Sequence, residues 1–313
     1  MNGLLPQGLE HTLVLADGRR WVIAAGDEEA ASIVSRLGDA MRLRVMRPSV
    51  SLPPATFGTG RTGAGDHPHD GIVRRLLVRV DAHNPEASLA TRHVSAPIGD
   101  DDCDVCVLRS FSHGDALYIQ LMELSLLLAR DAETRGGVLL HGALAEKDGI
   151  GVILAGPSGT GKTSASGLLP APWRSLCDDT TLVVPDSEGN YRAHPWPTWS
   201  RFLGGESGGT WGVENAVPLK GVFFLSRAVE DSVESVGPGR AVGLLVECAE
   251  QTSQFMVRGM GKEEKRALRL GRFSNLCSLA RIVPTHVLHF SLTGAFWQEI
   301  ERMLQESHRE GRG

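Results

Sequence analysis

The chain has 313 residues, of which 42% are hydrophobic and 22% charged, and its formal net charge is −5. This composition is typical of a soluble globular protein, and the negative charge argues against non-specific binding to nucleic acid or to a membrane surface. No apolar run reaches the roughly 18–20 residues of a membrane span, and the N-terminus lacks a basic segment followed by an apolar one, so we expect no signal peptide.

Five cysteines are scattered along the chain, which predicts reduced thiols and a cytoplasmic location. Cys103 and Cys106 form a single Cys-x-x-Cys pair without a second pair. We interpret both as strand residues, and a redox or metal role is the alternative.

The first predicted elements are a hairpin, a helix and a loop. Residues 11–25 read as two strands around an Asp17-Gly18 turn, and Asp27 is placed to cap a helix with one apolar face. Residues 47–72 are rich in Pro, Gly, Ser and Thr, so we expect a loop. Such a loop does not position metal ligands rigidly, and we interpret its His and Asp side chains as solvated. They are Asp66, His67, His69 and Asp70.

Strands are predicted at residues 73–80 and 103–109, before a helix over residues 114–135. Leucines recur in this helix at helical spacing, and two glycines end it. An apolar strand over residues 138–144 then carries His141. A single histidine in such a strand is usually a core residue, and a role at a functional site is the alternative.

The most specific motif lies in residues 152–163, VILAGPSGTGKT, which match G-x-x-x-x-G-K-[ST] between a predicted strand and a predicted helix. Glycines let consecutive N–H groups point at phosphate oxygens. Lys162 can reach the β- and γ-phosphates, and the Thr163 hydroxyl can bind Mg²⁺. A tight turn without a ligand is the alternative. The expected nucleotide-binding residues are Gly156, Pro157, Ser158, Gly159, Thr160, Gly161, Lys162 and Thr163.

Asp178 and Asp179 follow this motif closely, just before an apolar strand. An Asp pair before a strand often forms a turn or a cap. So close to a phosphate-binding loop, the pair instead favours a catalytic or metal-binding role.

The rest of the chain alternates strands, helices and a long irregular segment. Residues 194–215 concentrate three tryptophans around a Gly-rich centre, which fits either a lid or a surface excursion packed down by the tryptophans. We predict strands at residues 217–226 and 283–291, a helix at residues 240–248, and a final helix. Residues 258–272 are basic, which fits a solvated helix face or a contact with an anionic partner. The basic residues are Arg258, Lys262, Lys265, Arg266, Arg269 and Arg272.

The run from residue 136 to residue 184 resembles the catalytic domain of HPr kinase/phosphorylase. The resemblance rests on the His-Gly strand VLLHGAL, the loop GPSGTGKT and the closely following acids of LCDDTTLVV. The wider layout is similar to that of HPr-kinase-like proteins of peptide-modification cassettes, among them the SynChlorMet cassette protein ScmC family. The resemblance implies an α/β P-loop catalytic domain with a mixed sheet, the fold shared with phosphoenolpyruvate carboxykinase, over residues 113–313. A smaller α+β region over residues 1–112 would precede it.

The resemblance also implies residue roles. His141 corresponds to a histidine near the active site, Asp178 to the general base, and Asp179 to the neighbouring acid near the metal. The family's metal-binding glutamate lies in an E-x-R-G-x-G-type segment that this chain lacks, and Glu206 is the nearest candidate. The expected metal ligands are Thr163, Asp179 and Glu206.

These features predict an ATP-dependent kinase that uses Mg²⁺ and phosphorylates a serine or threonine of a small protein or precursor peptide. Its catalytic residues would be Asp178, Lys162 and His141. The R-P-G-R-type signature of the phosphorylase reaction is absent, which argues against the reverse reaction. A small-molecule kinase of the same fold and a non-catalytic nucleotide-binding scaffold are the alternatives. We expect neither nucleic acid nor a membrane as a partner, and a homo-oligomer stays open.

Overall fold

The computed structural model describes residues 10–46, 73–81, 92–98, 101–109, 114–157, 159–205, 208–253 and 260–310. Within these ranges the chain forms a mixed α/β molecule with two mixed sheets and six α-helices. The loop predicted at residues 47–72, and the side chains of Ser158 and Glu206, lie outside the described residues. None of the described helices is both long and apolar enough to cross a membrane.

The first sheet is built from the N-terminal part of the chain. Its strands are β1 (Glu10–Val14), β2 (Arg20–Ala25), β3 (Arg44–Met46), β4 (Val73–Asp81), β5 (Arg92–Ile98) and β6 (Asp101–Arg109). They lie in the order β3-β1-β2-β4-β6-β5. The central strands β2, β4 and β6 are parallel, and β1, β3 and β5 pair with their neighbours in antiparallel fashion. The predicted β1–β2 hairpin is confirmed, whereas β3 and β5 were not predicted.

Helix α1 (Glu28–Met41) packs its apolar face on this sheet. Asp27 caps it as predicted, because one carboxylate oxygen accepts a hydrogen bond from the Ala30 N–H at 2.8 Å. The other oxygen accepts from the Val80 N–H at 2.9 Å, so the same side chain ties the start of the helix to β4. The predicted apolar face is buried and consists of Ala30, Ile33, Val34 and Leu37.

Helix α2 (Gly114–Glu133) joins the two sheets. Its Leu121, Leu124 and Leu128 are buried in one cluster that also contains residues of both sheets. Gly136 follows the helix with a φ of 92°, which an L side chain adopts only with strain. The leucine stripe is therefore core, as its spacing predicts.

The second sheet carries the sequence motifs. Its strands are β7 (Val138–Lys147), β8 (Ile150–Ala155), β9 (Arg174–Cys177), β10 (Thr180–Pro185), β11 (Tyr191–Trp196), β12 (Val217–Arg227), β13 (Ser232–Ser235) and β14 (Thr285–Phe290). They lie in the order β11-β10-β7-β8-β12-β14-β13, with β9 beside β7. Strands β7 and β8 form an antiparallel hairpin, and β8, β12 and β14 are parallel. The glycine-rich motif at residues 156–163, named here the phosphate loop after its predicted ligand, thus leaves the carboxyl end of a central strand.

Helices cover both faces of the second sheet. They are α3 (Lys162–Leu168), α4 (Pro238–Ser253), α5 (Lys262–Ile282) and α6 (Phe296–Glu310). Phe296 and Ile300 of α6 pack with Ala165 of α3 on one face. Leu245 of α4 and Leu276 of α5 belong to the cluster on the other face. The phosphate loop therefore leads from the sheet to α3 on one face, and α4 lies on the opposite face of the sheet.

The segment over residues 194–215, named here the tryptophan segment, is not one continuous loop. It begins in β11 and continues in a 3₁₀ helix at Trp199–Gly205. Trp199 and Trp211 are buried, and the Trp199 indole N–H donates to Ser125 Oγ of α2 at 2.7 Å. The described part of the segment is therefore packed down by its aromatic residues.

One residue of the predicted basic helix face is turned inward. Arg272 is 6% exposed and forms a buried ion pair with Glu133 of α2 at 2.8 Å. This ion pair links α5 to α2. The prediction that Arg272 lies on a solvated or anion-binding helix face is therefore wrong. Lys262, Arg266 and Arg269 are exposed, and Arg258 lies outside the described residues.

Candidate functional site

The phosphate-loop motif connects β8 to α3 through a tightly curled backbone. Gly156, Gly159 and Gly161 have φ values of 152°, 83° and 101°, which L side chains rarely adopt. A Cβ on Gly156 would lie 2.9 Å from Thr160 Oγ1, so this position has no room for a side chain. The glycines of the motif are thus explained by backbone geometry.

Lys162 folds back over the beginning of its own loop. Its Nζ donates hydrogen bonds to the carbonyl oxygens of Gly156 at 2.9 Å and Pro157 at 3.0 Å. The residue is 6% exposed, and burial lowers the pKa of its ammonium group while the charge of Asp179 opposes that shift. The motif lysine therefore meets neutral carbonyl oxygens inside the loop and a carboxylate nearby.

His141 and Asp179 form a pair next to this lysine. His141 lies opposite Thr180 in the β7–β10 register, and its Nδ1 is 3.3 Å from Asp179 Oδ1. Burial lowers the pKa of His141, Asp179 raises it, and the neighbouring Lys162 ammonium lowers it. The structure thus brings together three of the predicted site residues from β7, α3 and the turn between β9 and β10.

The two acids of that turn, named here the aspartate turn (Asp178-Asp179), have different partners. Asp178 Oδ1 accepts from Thr198 Oγ1 at 3.1 Å, and Oδ2 accepts from Arg201 Nε at 3.0 Å and Nη2 at 2.6 Å. Asp178 is 15% exposed and Arg201 41% exposed. The tryptophan segment therefore reaches the site through a hydroxyl and a guanidinium.

Sequence reasoning missed the roles of Thr198 and Arg201. Both lie in a segment chosen for its tryptophans and glycines, and no spacing rule links them to an acid 20 or 23 residues earlier. The sequence does offer one cue, because Thr198 and Arg201 are a hydroxyl and a charged residue that lie beside tryptophans. Phe202 stacks on Tyr118 of α2 with ring centroids 4.8 Å apart, which places the 3₁₀ helix.

Helix α4 supplies a second element that sequence reasoning missed. Cys248 is buried against the phosphate loop and makes a hydrogen bond with the backbone of Gly156. Burial raises the pKa of its thiol to about 11, although the Gly156 hydrogen bond and the Lys162 charge act in the opposite direction. The thiol is therefore protonated at neutral pH and packs against the loop.

The predicted metal ligands are only partly placed. Thr163 is exposed on the first turn of α3, and Asp179 is half-buried beside His141. Glu206 lies outside the described residues. In the part of the chain that the structure describes, no group of three or more His, Cys, Asp or Glu side chains has the arrangement of a metal site. Cys106 is buried, and burial raises the pKa of its thiol to about 12, so it fits the interpretation as a strand residue.

A comparison with families of known proteins finds a match over most of the chain. Residues 105–305 match the family model for SynChlorMet cassette protein ScmC. The chain belongs to the ScmC family. The match includes the phosphate loop, the aspartate turn, the tryptophan segment and α4, but it starts within β6. The ScmC-family match thus leaves most of the first sheet outside, and no curated protein matches the chain.

Proposed function

We propose that this ScmC-family protein is an ATP-dependent kinase that phosphorylates a serine or threonine hydroxyl of a small protein or precursor peptide. We further propose that its second sheet and covering helices have the HPr kinase/phosphoenolpyruvate carboxykinase-type fold. One observation carries the proposal. The buried ammonium of Lys162 lies in a glycine-rich loop, and a turn with two carboxylates, Asp178 and Asp179, comes beside it.

The loop would hold the triphosphate of ATP. Lys162 would exchange its two carbonyl partners for β- and γ-phosphate oxygens, which carry a full negative charge and form stronger hydrogen bonds. Thr163 and Asp179, with Glu206, would hold Mg²⁺, and His141 would fix the orientation of Asp179 through its 3.3 Å contact. ATP supplies the γ-phosphoryl group, and Mg²⁺ neutralises charge on its phosphates.

Asp178 would accept the proton of the acceptor hydroxyl. The hydroxyl oxygen forms the new bond to the γ-phosphorus, the bond to the β–γ bridging oxygen breaks, and the proton passes to the carboxylate. Thr198 and Arg201 hold this carboxylate in one orientation. Because phosphoryl transfer depends mainly on positioning and electrostatics, these groups are sufficient for the reaction.

Labelled ATP tests this proposal. The protein is incubated with γ-labelled ATP, Mg²⁺ and candidate precursor peptides encoded beside its gene, and we expect label on one peptide. Asp178→Asn should reduce transfer by roughly 10²–10⁴-fold, the range for a general base. Asp148→Asn is the matched control, because Asp148 is an exposed turn residue with a φ of 52°, which asparagine tolerates well. Near-wild-type transfer by Asp178→Asn would refute the assignment of the base.

A non-catalytic nucleotide-binding scaffold is the second candidate function. It is favoured by the contacts of Asp178, because Thr198 and Arg201 already occupy both of its carboxylate oxygens. This alternative predicts that ATP raises the thermal unfolding temperature, by binding the folded state, while no peptide or small molecule becomes labelled.

A further inference from the structure

A cavity of about 230 Å³ lies behind the start of the phosphate loop, between the second sheet and α4. Its lining is mostly apolar, and its polar residues come from α4. The residues that matter here are Gly156 and Pro157 of the loop, Phe224 of β12, Val287 of β14, and Leu244 and Cys248 of α4. Asp178 and Asp179 of the aspartate turn do not line this cavity.

The cavity borders the first residues of the loop, which hold the motif lysine. Gly156 and Pro157 line it, and their carbonyl oxygens hold Lys162 Nζ. In this motif the lysine reaches the β- and γ-phosphates. The Cys248 thiol, in the cavity wall, also lies close enough to sense the Lys162 charge. A group in the cavity would therefore sit next to the reacting end of a bound nucleotide.

The size of the cavity argues against a nucleoside. Sites for drug-sized ligands span about 300–1,000 Å³, and this space is smaller. It has the dimensions for one apolar side chain against Phe224, Leu244 and Val287. Arg240, Glu247 and Gln251 of α4 also line it, and Arg240 is paired with Glu234 of β13. Glu247 and Gln251 would offer polar groups to the backbone of the same ligand.

We propose that this cavity is a subsite for an apolar side chain of the acceptor peptide, next to the hydroxyl that receives the phosphoryl group. The inference rests on the proposed function, and it states which acceptor peptides the kinase would select. Burying such a side chain removes apolar surface from water and anchors the peptide beside Lys162. This anchoring would hold the acceptor hydroxyl near Lys162 and the aspartate turn.

An oriented peptide library with a fixed central serine tests the proposal by two independent readouts. Direct binding is measured by fluorescence anisotropy of the labelled peptides with a non-hydrolysable ATP analogue, and transfer is measured with γ-labelled ATP. We expect one flanking position to select Leu, Met or Phe. Alanine at that position should weaken binding and lower kcat/KM by roughly 10-fold or more.

Variants of Leu244 locate the selected side chain. Leu244→Trp fills the cavity and should remove the preference, while Leu244→Ala enlarges it and should shift the preference to a larger side chain. Leu270→Trp on α5 is the matched control, because Leu270 is 61% exposed and lies outside the cavity. Binding of the ATP analogue should change less than threefold in all three variants, and each variant's thermal unfolding checks that it folds.

The outcomes separate this proposal from the function on which it rests. Peptide binding with the expected Leu244 dependence, but without transfer, would support the subsite and refute the kinase. Transfer that ignores Leu244, or a library with no apolar preference, would refute the subsite and leave the kinase intact. Loss of ATP-analogue binding in Leu244→Trp alone would show that the cavity takes part of the nucleotide, which also overturns the proposal.

Discussion

The phosphate loop and the neighbouring aspartate turn are held by different kinds of contact. Lys162 bonds carbonyl oxygens five and six residues away, whereas Asp178 bonds side chains 20 and 23 residues away. The loop is thus shaped by its own glycines, and the turn is shaped by the tryptophan segment. A change far from the loop can therefore alter the position of the Asp178 carboxylate while it leaves the loop contacts of Lys162 in place.

The largest expected effect comes from breaking the loop itself. Lys162→Ala removes the cation that would meet the β- and γ-phosphates and should lower kcat/KM for transfer by on the order of 10³-fold. The measurement is steady-state transfer from γ-labelled ATP. Lys262→Ala, at the exposed start of α5, should retain activity within twofold. Equal losses in the two variants would contradict a specific role for the loop lysine.

His194 holds the start of the tryptophan segment, and we expect it to make the free energy of unfolding depend on pH. His194 of β11 is buried, accepts from the Ala16 N–H through Nε2 and contacts the Val213 carbonyl oxygen through Nδ1. Burial lowers its pKa from 6.5 to about 4 in the folded protein, so the unfolded chain takes up the proton first as the pH falls. The free energy of unfolding should be level above about pH 6.5 and should fall by about 3 kcal/mol by pH 4.

Denaturant unfolding between pH 7 and pH 4 measures this dependence. His194→Gln should be less stable at pH 7 and should lose stability less steeply as the pH falls. Parallel curves for the wild type and the variant would assign the pH dependence to other groups.

Arg201 tests the contacts between the tryptophan segment and the aspartate turn. Arg201→Ala removes two donors to Asp178 and should lower kcat by roughly 10-fold, with KM for ATP within twofold, because the loop keeps its own contacts. Arg201→Lys should restore part of kcat. Arg302→Ala is the matched control, because Arg302 also forms an exposed ion pair, on α6. A large rise in KM for ATP would place Arg201 at the nucleotide instead.

Thr198 should give the smallest effect. Thr198→Val keeps the shape of this buried side chain and removes one of the three hydrogen bonds to the Asp178 carboxylate. Because Arg201 still holds the other oxygen, kcat should fall by only roughly fivefold. The kcat of the double variant with Arg201→Ala then shows whether the two donors act on one carboxylate. Strictly additive effects would contradict that coupling.

Much of the fold follows from local sequence patterns. The β1–β2 hairpin, the Asp27 cap, the leucine stripe of α2 and the strand–loop–helix order around Lys162 were all predicted, and the structure has them. Each depends on residues only a few positions apart, where propensity and periodicity carry the signal. The short strands β3, β5 and β13 escaped prediction because their pairing partners, rather than their own patterns, define them.

The sequence by itself determined the phosphate-loop motif and the pair of acids that follows it, because glycine conformation and motif spacing are properties of adjacent residues. Only the tertiary structure decided that Asp178 meets Thr198 and Arg201, that Arg272 turns inward to Glu133, and that Cys248 walls the loop. These contacts join elements far apart in the chain. Their geometry depends on how α2, α4 and the tryptophan segment pack around the second sheet, and no local pattern encodes that packing.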